Sequence, residues 1–361
     1  MAVFNQRSGI KEMIIEMNEQ IRHAADRVYR YMTESRSTDW GMNINEWDWV
    51  PGVGTMALLH YYEKTGNQEV LDYLIRWVER NQEKAGRTKV INSMAPFAIF
   101  PRLYELTKET YYLDQAKQIS QWMVREAPRT REGAFEHTVT EKGSFPEQVW
   151  ADTMFMAVLL LARTAKLTQD SDLAKQALEQ VSLHMRLLQD EVTGVLFHGW
   201  NSAERNHLSA ARWTRANAWV CIAVPEILQD IVGLVTIPSD IRSSYKRMMD
   251  GLIEYQSSNG LWHTVMDRTD FYQETSGSAG IACGILLAIR TGLLEETYGV
   301  HVLKALKGVL RCINTAGEVS SVSGGTPIMP TIEAYQTIER IPTLYGQGLV
   351  LMLFSECFGN E

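Results

Sequence analysis

Two kinds of helix alternate along this chain, and the alternation restricts the folds open to it more than any other feature. From Ser171 to Gln189 the apolar residues Leu173, Ala177, Leu178, Val181, Met185 and Leu188 recur at helical spacing, with Ser171 placed to cap the start. The same one-sided pattern returns from Ser239 to Tyr255, Tyr111 to Met123, Ile10 to Tyr31 and Val70 to Val78. Between these stand segments apolar on nearly every side: VWADTMFMAVLLLA from Val149, AGIACGILLAI from Ala279 and GLVLMLF from Gly348. A helix that is apolar all round has to be enclosed by other helices. Both kinds together make about twelve helices, and the enclosed ones start near Gly52, Asn92, Val149, Arg215, Ser276 and Tyr345, a hairpin repeat of roughly 40 to 70 residues. Six hairpins with one enclosed and one half-exposed helix each are what a closed ring requires. The sequence therefore predicts an all-α fold, an (α/α)6 toroid; an open solenoid would need polar end hairpins, and none is visible.

Strand signals are short, as in VLFHGW and LWHTVM, and fall in the long connections rather than in a βαβ rhythm. GVGTMA, from Gly52 to Ala57, matches a dinucleotide-binding GxGxxA, but it follows Pro51 instead of a strand and runs on with helical spacing. No linker rich in Pro, Gly or Ser divides the chain, so one catalytic domain over residues 1–361 is expected.

Composition narrows the function. With 45% hydrophobic residues in 361, the chain can bury about three quarters of its unfolded surface, so it needs neither disulfides nor structural metals. Cys221, Cys283, Cys312 and Cys357 match no CxxC spacing and read as buried reduced thiols. Acidic residues outnumber basic ones 43 to 35, a net charge of -8, which argues against nucleic acid as a partner. The start lacks a leader-like apolar stretch with a small-residue cleavage site, and no later run reaches the roughly 18 residues needed to span a bilayer. A cytoplasmic protein without membrane contact is expected. The histidines offer no HExxH or other ligand spacing, so no metal and no cofactor is predicted.

The long connections before the enclosed helices hold most of the Trp, His and Gly, and a toroid gathers such connections at one end. Seven of the ten tryptophans sit beside them: Trp47, Trp49, Trp150, Trp200, Trp213, Trp219 and Trp262. Indoles mixed with polar groups suit a sugar, whose C–H faces stack while its hydroxyls need fixed partners. Asp152 in VWADTMFM is the candidate catalytic group, because an unpaired carboxylate in an apolar helix costs several kcal/mol, about 3 or more, to bury. Ser144 and Glu147 match the S-x-x-E of a capping box with Pro146 in the first turn, which would put Asp152 about two turns inside the helix. An apolar site would raise its pKa toward neutrality, as a group that both gives and takes a proton requires. Arg215 beside Trp213 and Trp219 offers a planar fork for an anion, and His198 in FHGW a ring nitrogen. His137 in AFEHT and His263 in LWHT are further candidates, and SGGT, from Ser323 to Thr326, reads as a rim-shaping turn.

Taken in order, WDWVPGV, YYEKTGN, QVWADTMFM, FHGW, RWTRANAW, GLWHTVMD, ETSGSAG, SGGT and LYGQGL make the chain resemble the unsaturated rhamnogalacturonyl hydrolases of glycoside hydrolase family 105 and, more distantly, the unsaturated glucuronyl hydrolases. The likeness spans nearly the whole chain. It implies a six-hairpin barrel that removes the unsaturated uronic acid left by a polysaccharide lyase at the non-reducing end, with an oligosaccharide such as unsaturated galacturonyl-rhamnose from pectin as substrate. By its place in the motif Asp152 resembles the family's acid and base, protonating C4 of the C4=C5 bond and assisting water at C5. His198, Trp213, Arg215 and Trp219 match substrate contacts, His137 matches a site histidine, and Trp49 and Trp150 fall within matched motifs. Many members carry Asp at the start of the second enclosed helix where this chain has Asn92, so Asn92 is expected among the substrate contacts, with an effect on substrate range or rate. Beside this reading stand an unsaturated glucuronyl hydrolase, an ordinary inverting glycosidase using Glu136 or Glu274 as second carboxylate, and a sugar-binding protein without turnover.

Overall fold

Caps and buried faces sort the twelve α-helices of the described residues into two sets. The protein is seen in a computed structural model that describes residues 2–358, with side chains from Glu16 onward. The half-exposed set is α1 (Ala2–Glu34), α3 (Gln68–Asn81), α5 (Thr110–Arg125), α7 (Ser171–Leu188), α9 (Ser239–Glu254) and α11 (Gly299–Leu310). The enclosed set is α2 (Trp49–Thr65), α4 (Phe100–Thr107), α6 (Leu159–Thr168), α8 (Thr214–Ile231), α10 (Thr275–Arg290) and α12 (Leu344–Glu356). On α3 only one stripe is buried, including Val70, Leu74, Trp77 and Val78, whereas α2 is buried continuously from Val50 to Tyr61 and α12 from Leu344 to Ser355. Two enclosed helices begin irregularly. A 3-10 stretch, Asn92–Ile99, leads into α4 and contains Pro96, which cannot donate a helical hydrogen bond. A π-helical stretch, Met154–Val158, leads into α6.

Each enclosed helix, taken with its irregular lead-in where it has one, packs on the next, and α12 returns to pack on α2, so the inner set closes a ring while α1 and α11 meet outside it. The fold is the (α/α)6 toroid that the alternation predicts. Small residues set its tightest seam. An added Cβ at Gly280 would lie 2.7 Å from the Ala218 Cβ, and one at Gly284 2.4 Å from the Cys221 Cβ, so α10 and α8 touch nearly backbone to backbone. The GVGTMA segment lies within α2, capped by the Asp48 side chain, and a Cβ at Gly52 would strike Pro96 at 2.7 Å. These glycines serve helix packing, not a dinucleotide.

Several sequence expectations shift locally. The cap of α7 is Asp170, which accepts from the N–H groups of Asp172 and Leu173, not Ser171; it stands one residue earlier, where its side chain reaches the open amides. Pro238 occupies the cap position of α9 without a side-chain bond. The capping box at Ser144 and Glu147 does not form. Ser144 belongs to a short strand, Glu147 has a left-handed backbone (φ 57) that no first helical turn tolerates, and Gln148–Trp150 is a strand. Asp152 therefore stands at the beginning of its helix, its carbonyl accepting from the N–H groups of Phe155 and Met156 at 3.0 Å each. The connections carry three two-stranded ribbons: β1 (Thr138–Val139) with β2 (Gly143–Ser144), β3 (Gln148–Trp150) with β4 (Gly199–Asn201), and β5 (Trp262–His263) with β6 (Gln273–Glu274). Cys221, Cys283 and Cys357 are buried free thiols as expected, while Cys312 is half-buried. No helix of the described residues is long and apolar enough to cross a membrane.

The enclosed helices all point the same way, so their N-termini gather at one end of the ring and their C-termini at the other. The C-terminal end holds a pit of ≈ 340 Å³ between Lys64, Arg102, Arg163, Lys166, Glu226 and Arg290. Its charges pair with one another: Arg163 with Glu226 at 2.7 Å, Lys166 with Asp230 at 2.8 Å, and Glu356 with His60, Lys64 and Arg290. Burial alone would raise the Glu356 carboxyl, but the His60 contact and these cations hold it far below the usual range. This end is a floor tied by ion pairs.

The α8–α10 seam yields a test. Gly284→Val forces its side chain into the Cys221 backbone and should cost about 3 kcal/mol of stability, read as a lower midpoint in urea unfolding. Gly292→Ala, with nothing within 4 Å of its Cβ but a positive φ of 71, should cost less, about 1 kcal/mol.

Candidate active site

At the N-terminal end of the ring a cavity of ≈ 300 Å³ opens between the long connections. Its wall combines Trp49 at the start of α2, Asn92 at the start of the 3-10 stretch, His137 and Trp150 from the ribbons, Asp152 ahead of α6, Trp213, Arg215 and Trp219 around the start of α8, and Gly325 to Pro327 before α12. Helix N-termini carry unpaired N–H groups and partial positive charge, so such an end favours an anionic ligand.

The Asp152 carboxyl is the least compensated group here. It is 7% exposed, its Oδ1 makes no hydrogen bond within the described residues, and no cation pairs with it. Burial pushes its pKa up, the nearby positive charge of Arg215 pulls it down, and the result is about 7. Why Arg215 does not neutralise it is visible in the guanidinium's bonds. Nη1 donates to the Ser323 carbonyl at 2.9 Å and to the Ser323 hydroxyl, and lies 3.5 Å from Glu274; Nη2 donates to the Gly324 carbonyl at 3.0 Å and to Thr326 Oγ1 at 3.3 Å. The same group lies over Trp213 at 4.4 Å and Tyr345 at 4.5 Å. Both terminal nitrogens are spent on the SGGT turn, leaving the charge to act on the cavity.

Glu274 completes that fixture. It caps α10 by accepting from the Gly277 N–H, and its Oε1 accepts from Ser276 Oγ at 2.6 Å and the Ser323 N–H at 3.1 Å. Glu136 accepts from the Glu147 N–H at 2.9 Å. Neither carboxylate borders the cavity, so no second acid faces Asp152 from these positions.

Other polar atoms of the wall also lack partners within the described residues: Asn92 Oδ1, His137 Nδ1 and Trp213 Nε1. Burial lowers the His137 imidazole to about 3, so it is neutral at ordinary pH, stacked on Trp150 with ring centroids 3.9 Å apart. Trp49 stacks on Tyr345 at 5.3 Å and donates from its indole nitrogen to Glu141 at 3.2 Å. Aromatic faces, neutral donors and acceptors, and the unpaired Asp152 carboxyl meet in a single pocket, with Glu141, bonded to Trp49, the other carboxyl of its wall.

Of the residues singled out in the sequence, Asp152, Asn92, His137, Trp49, Trp150, Trp213, Arg215 and Trp219 border this cavity. His198 does not. It lies one layer back, tilted against Trp213 at 4.3 Å and Trp150 at 5.2 Å, its Nδ1 2.7 Å from the Tyr335 hydroxyl, and burial, His137 and Arg215 hold it well below its ordinary pKa. His263 places Nδ1 2.7 Å from the Phe271 carbonyl, outside the wall. Trp47 packs in the core against Trp77 and Phe97, Trp262 donates to the Leu252 carbonyl, and Trp200 lies against His207. The SGGT turn is rim at Gly325 and Thr326, and it is also the anchor of Arg215. Glu141, Lys142 and Phe145 of the wall escaped the sequence reading, as did Tyr335, which bonds His198 behind it; Glu141 and Lys142 stand in a charged EKG turn that looks like any solvated loop. Among the described residues no group of His, Cys, Asp and Glu could hold a metal ion.

The profile of Glycosyl Hydrolase Family 88 matches residues 20–360. The unsaturated rhamnogalacturonyl hydrolase YesR of Bacillus subtilis is 35% identical over 315 residues, covering 86% of this chain and 89% of that one. Two solved structures, described as possible members of family 105, superpose closely. The one from Salmonella enterica has a TM-score of 0.88 at 28% identity, covering 94% of this chain and 93% of its own; the one from Klebsiella pneumoniae has 0.85 at 30%, covering 94% and 92%.

The raised Asp152 pKa has a measurable cost. A carboxyl that holds its proton to about pH 7 when folded, but releases it near pH 4 when unfolded, supports folding fully only below pH 4 and loses that support as pH rises to 7. The stability of Asp152→Asn relative to wild type should therefore rise by on the order of 3 kcal/mol between pH 3.5 and pH 8, measured by urea unfolding at each pH.

Proposed function

Because the chain belongs to glycosyl hydrolase family 88, we propose that the cavity takes the unsaturated uronic acid at the non-reducing end of a lyase-generated oligosaccharide and that Asp152 drives its hydration and release. The observation that carries this reading is the unpaired Asp152 carboxyl, with a pKa of about 7, in the wall of an aromatic cavity.

The chemistry follows from what one such carboxyl can do. In its neutral form Asp152 hands a proton to C4 of the C4=C5 enol ether, and positive charge develops at C5 and the ring oxygen. Water attacks C5, and its proton passes to the Asp152 carboxylate, restoring the acid. The C5 hemiketal opens to a ketone, and the hemiacetal left at C1 releases the neighbouring sugar together with a 4-deoxy-5-keto uronate. The net reaction consumes one water. A single carboxyl suffices because the alkene is itself reactive, consistent with Glu136 and Glu274 standing outside the cavity.

The remaining residues position the sugar. Arg215, fixed by the SGGT turn and Glu274, supplies a positive potential for the substrate carboxylate without surrendering its own bonds. The indoles of Trp150, Trp213 and Trp219 offer faces for the ring, Trp213 Nε1 and His137 Nδ1 offer polar contacts, and His198 braces Trp150 and Trp213 from behind. Asn92 presents a neutral amide, so this position adds no negative charge against the substrate's own. Unsaturated galacturonyl-rhamnose is the substrate this reading favours, since YesR is an unsaturated rhamnogalacturonyl hydrolase.

The enol carboxylate absorbs in the ultraviolet, so turnover appears as bleaching. The protein should bleach unsaturated galacturonyl-rhamnose, and Asp152→Asn should slow the loss by on the order of 10³-fold. Absorbance that persists across pectin and glycosaminoglycan lyase products would exclude the activity. With the acid form required first, kcat/KM should fall about tenfold per pH unit above pH 7, as Asp152 loses its proton.

A further inference from the structure

Trp40, in the connection between α1 and α2, is the one aromatic residue among the exposed large hydrophobics of the described residues; the others are Val192, Val232 and Val300. It is 42% exposed. Its place is not arbitrary. The ring meets Trp49 edge-on, with centroids 5.5 Å apart and planes at 67°, and Trp49 lines the catalytic cavity. On its other side lies Gly325, also in the cavity wall, where an added Cβ would come within 3.0 Å of Trp40 Cη2 and 3.3 Å of Cζ3. Glycine at 325 thus leaves the indole room beside the cavity wall, while Trp49, stacked on Tyr345 and bonded to Glu141, meets it edge-on.

An exposed indole held between two elements of a pocket mouth presents a flat apolar face to whatever passes through it. The floor of the ring is tied by ion pairs, so a substrate whose terminal ring sits against Asp152 must lead its next sugar out through this mouth. The rim there is largely apolar, with Phe145 and Pro327 beside Trp49, and its charged residues are Glu141, bonded to Trp49, and Lys142, whose ammonium lies 4.5 Å from the Phe145 ring.

We propose that Trp40 is the stacking platform for the sugar next to the unsaturated uronate, and that it selects an uncharged hexose with an exposed C–H face, such as a 6-deoxyhexose, as the leaving group. The proposal rests on the hydrolase reading above and adds the residue that recognises the leaving sugar. Trp40 touches neither the alkene nor Asp152, so its contribution is to binding and not to the proton transfer.

The test compares unsaturated galacturonyl-rhamnose with the methyl glycoside of the same unsaturated uronate, which lacks a second sugar, in the bleaching assay. Trp40→Ala should raise KM for the disaccharide about 10-fold with kcat within about twofold of wild type, and leave both parameters for the methyl glycoside within about twofold. Trp40→Phe, which keeps a ring, should recover most of the loss. An equal decline on both substrates would make Trp40 a prop for Trp49 and overturn the proposal, as would a disaccharide KM that does not change. Wild-type protein that bleaches neither substrate would remove the hydrolase reading itself, and the platform with it.

Discussion

The site depends on a guanidinium that is committed elsewhere. Arg215 stands close enough to Asp152 to lower its pKa, yet both terminal nitrogens are held by Ser323, Gly324 and Thr326, with Glu274 taking part of the charge. Had the pair closed into a salt bridge, Asp152 would be a permanent carboxylate and useless as an acid. Had the cation been remote, burial would have held the proton more tightly still. The SGGT turn and the cap of α10 together fix the distance between two charges, and that distance sets the acid strength. A turn far along the chain therefore tunes a proton in the same cavity.

The toroid makes this arrangement possible because it separates strength from chemistry. Enclosed helices touch along seams such as Gly280 and Gly284 against α8, where an added Cβ would already collide. Two irregular lead-ins serve the end where the cavity opens: the Pro96 stretch presents Asn92, and the π-helical stretch follows Asp152. The unpaired polar atoms of Asn92, His137, Asp152 and Trp213 meet at the same end, where a rigid frame can carry their cost.

Much of this was legible in the sequence, for reasons that differ by residue. The ring was readable because enclosure leaves a direct mark: α2, α10 and α12 cannot place an apolar residue on every side unless other helices cover them. Asp152, Asn92, His137 and the indoles of the wall were readable because a polar residue in an apolar run, or Trp in a glycine-rich connection, demands a reason. The place of His198 was not readable, since spacing does not tell whether an imidazole faces a cavity or braces the indoles that do. The start of the helix at Asp152 was misjudged because Ser144 and Glu147 satisfy a local cap pattern that the β3–β4 pairing overrides. Glu274 could be read only as a possible second acid. Its actual work, capping α10 and anchoring Arg215, depends on contacts across 59 residues of chain that no local motif records.

The paired charges beneath the ring have a consequence for how a polymer can be handled. With Glu356, Arg290, Lys64 and His60 drawn together under a packed interior, the barrel is a blind well and not a tunnel. A blind well admits only the tip of a chain and lets each product leave by the door through which it came, so processive threading is foreclosed by architecture. The length of the oligomer then matters little beyond its first few units, and each oligomer is cut once, because the shortened chain no longer carries the terminal alkene.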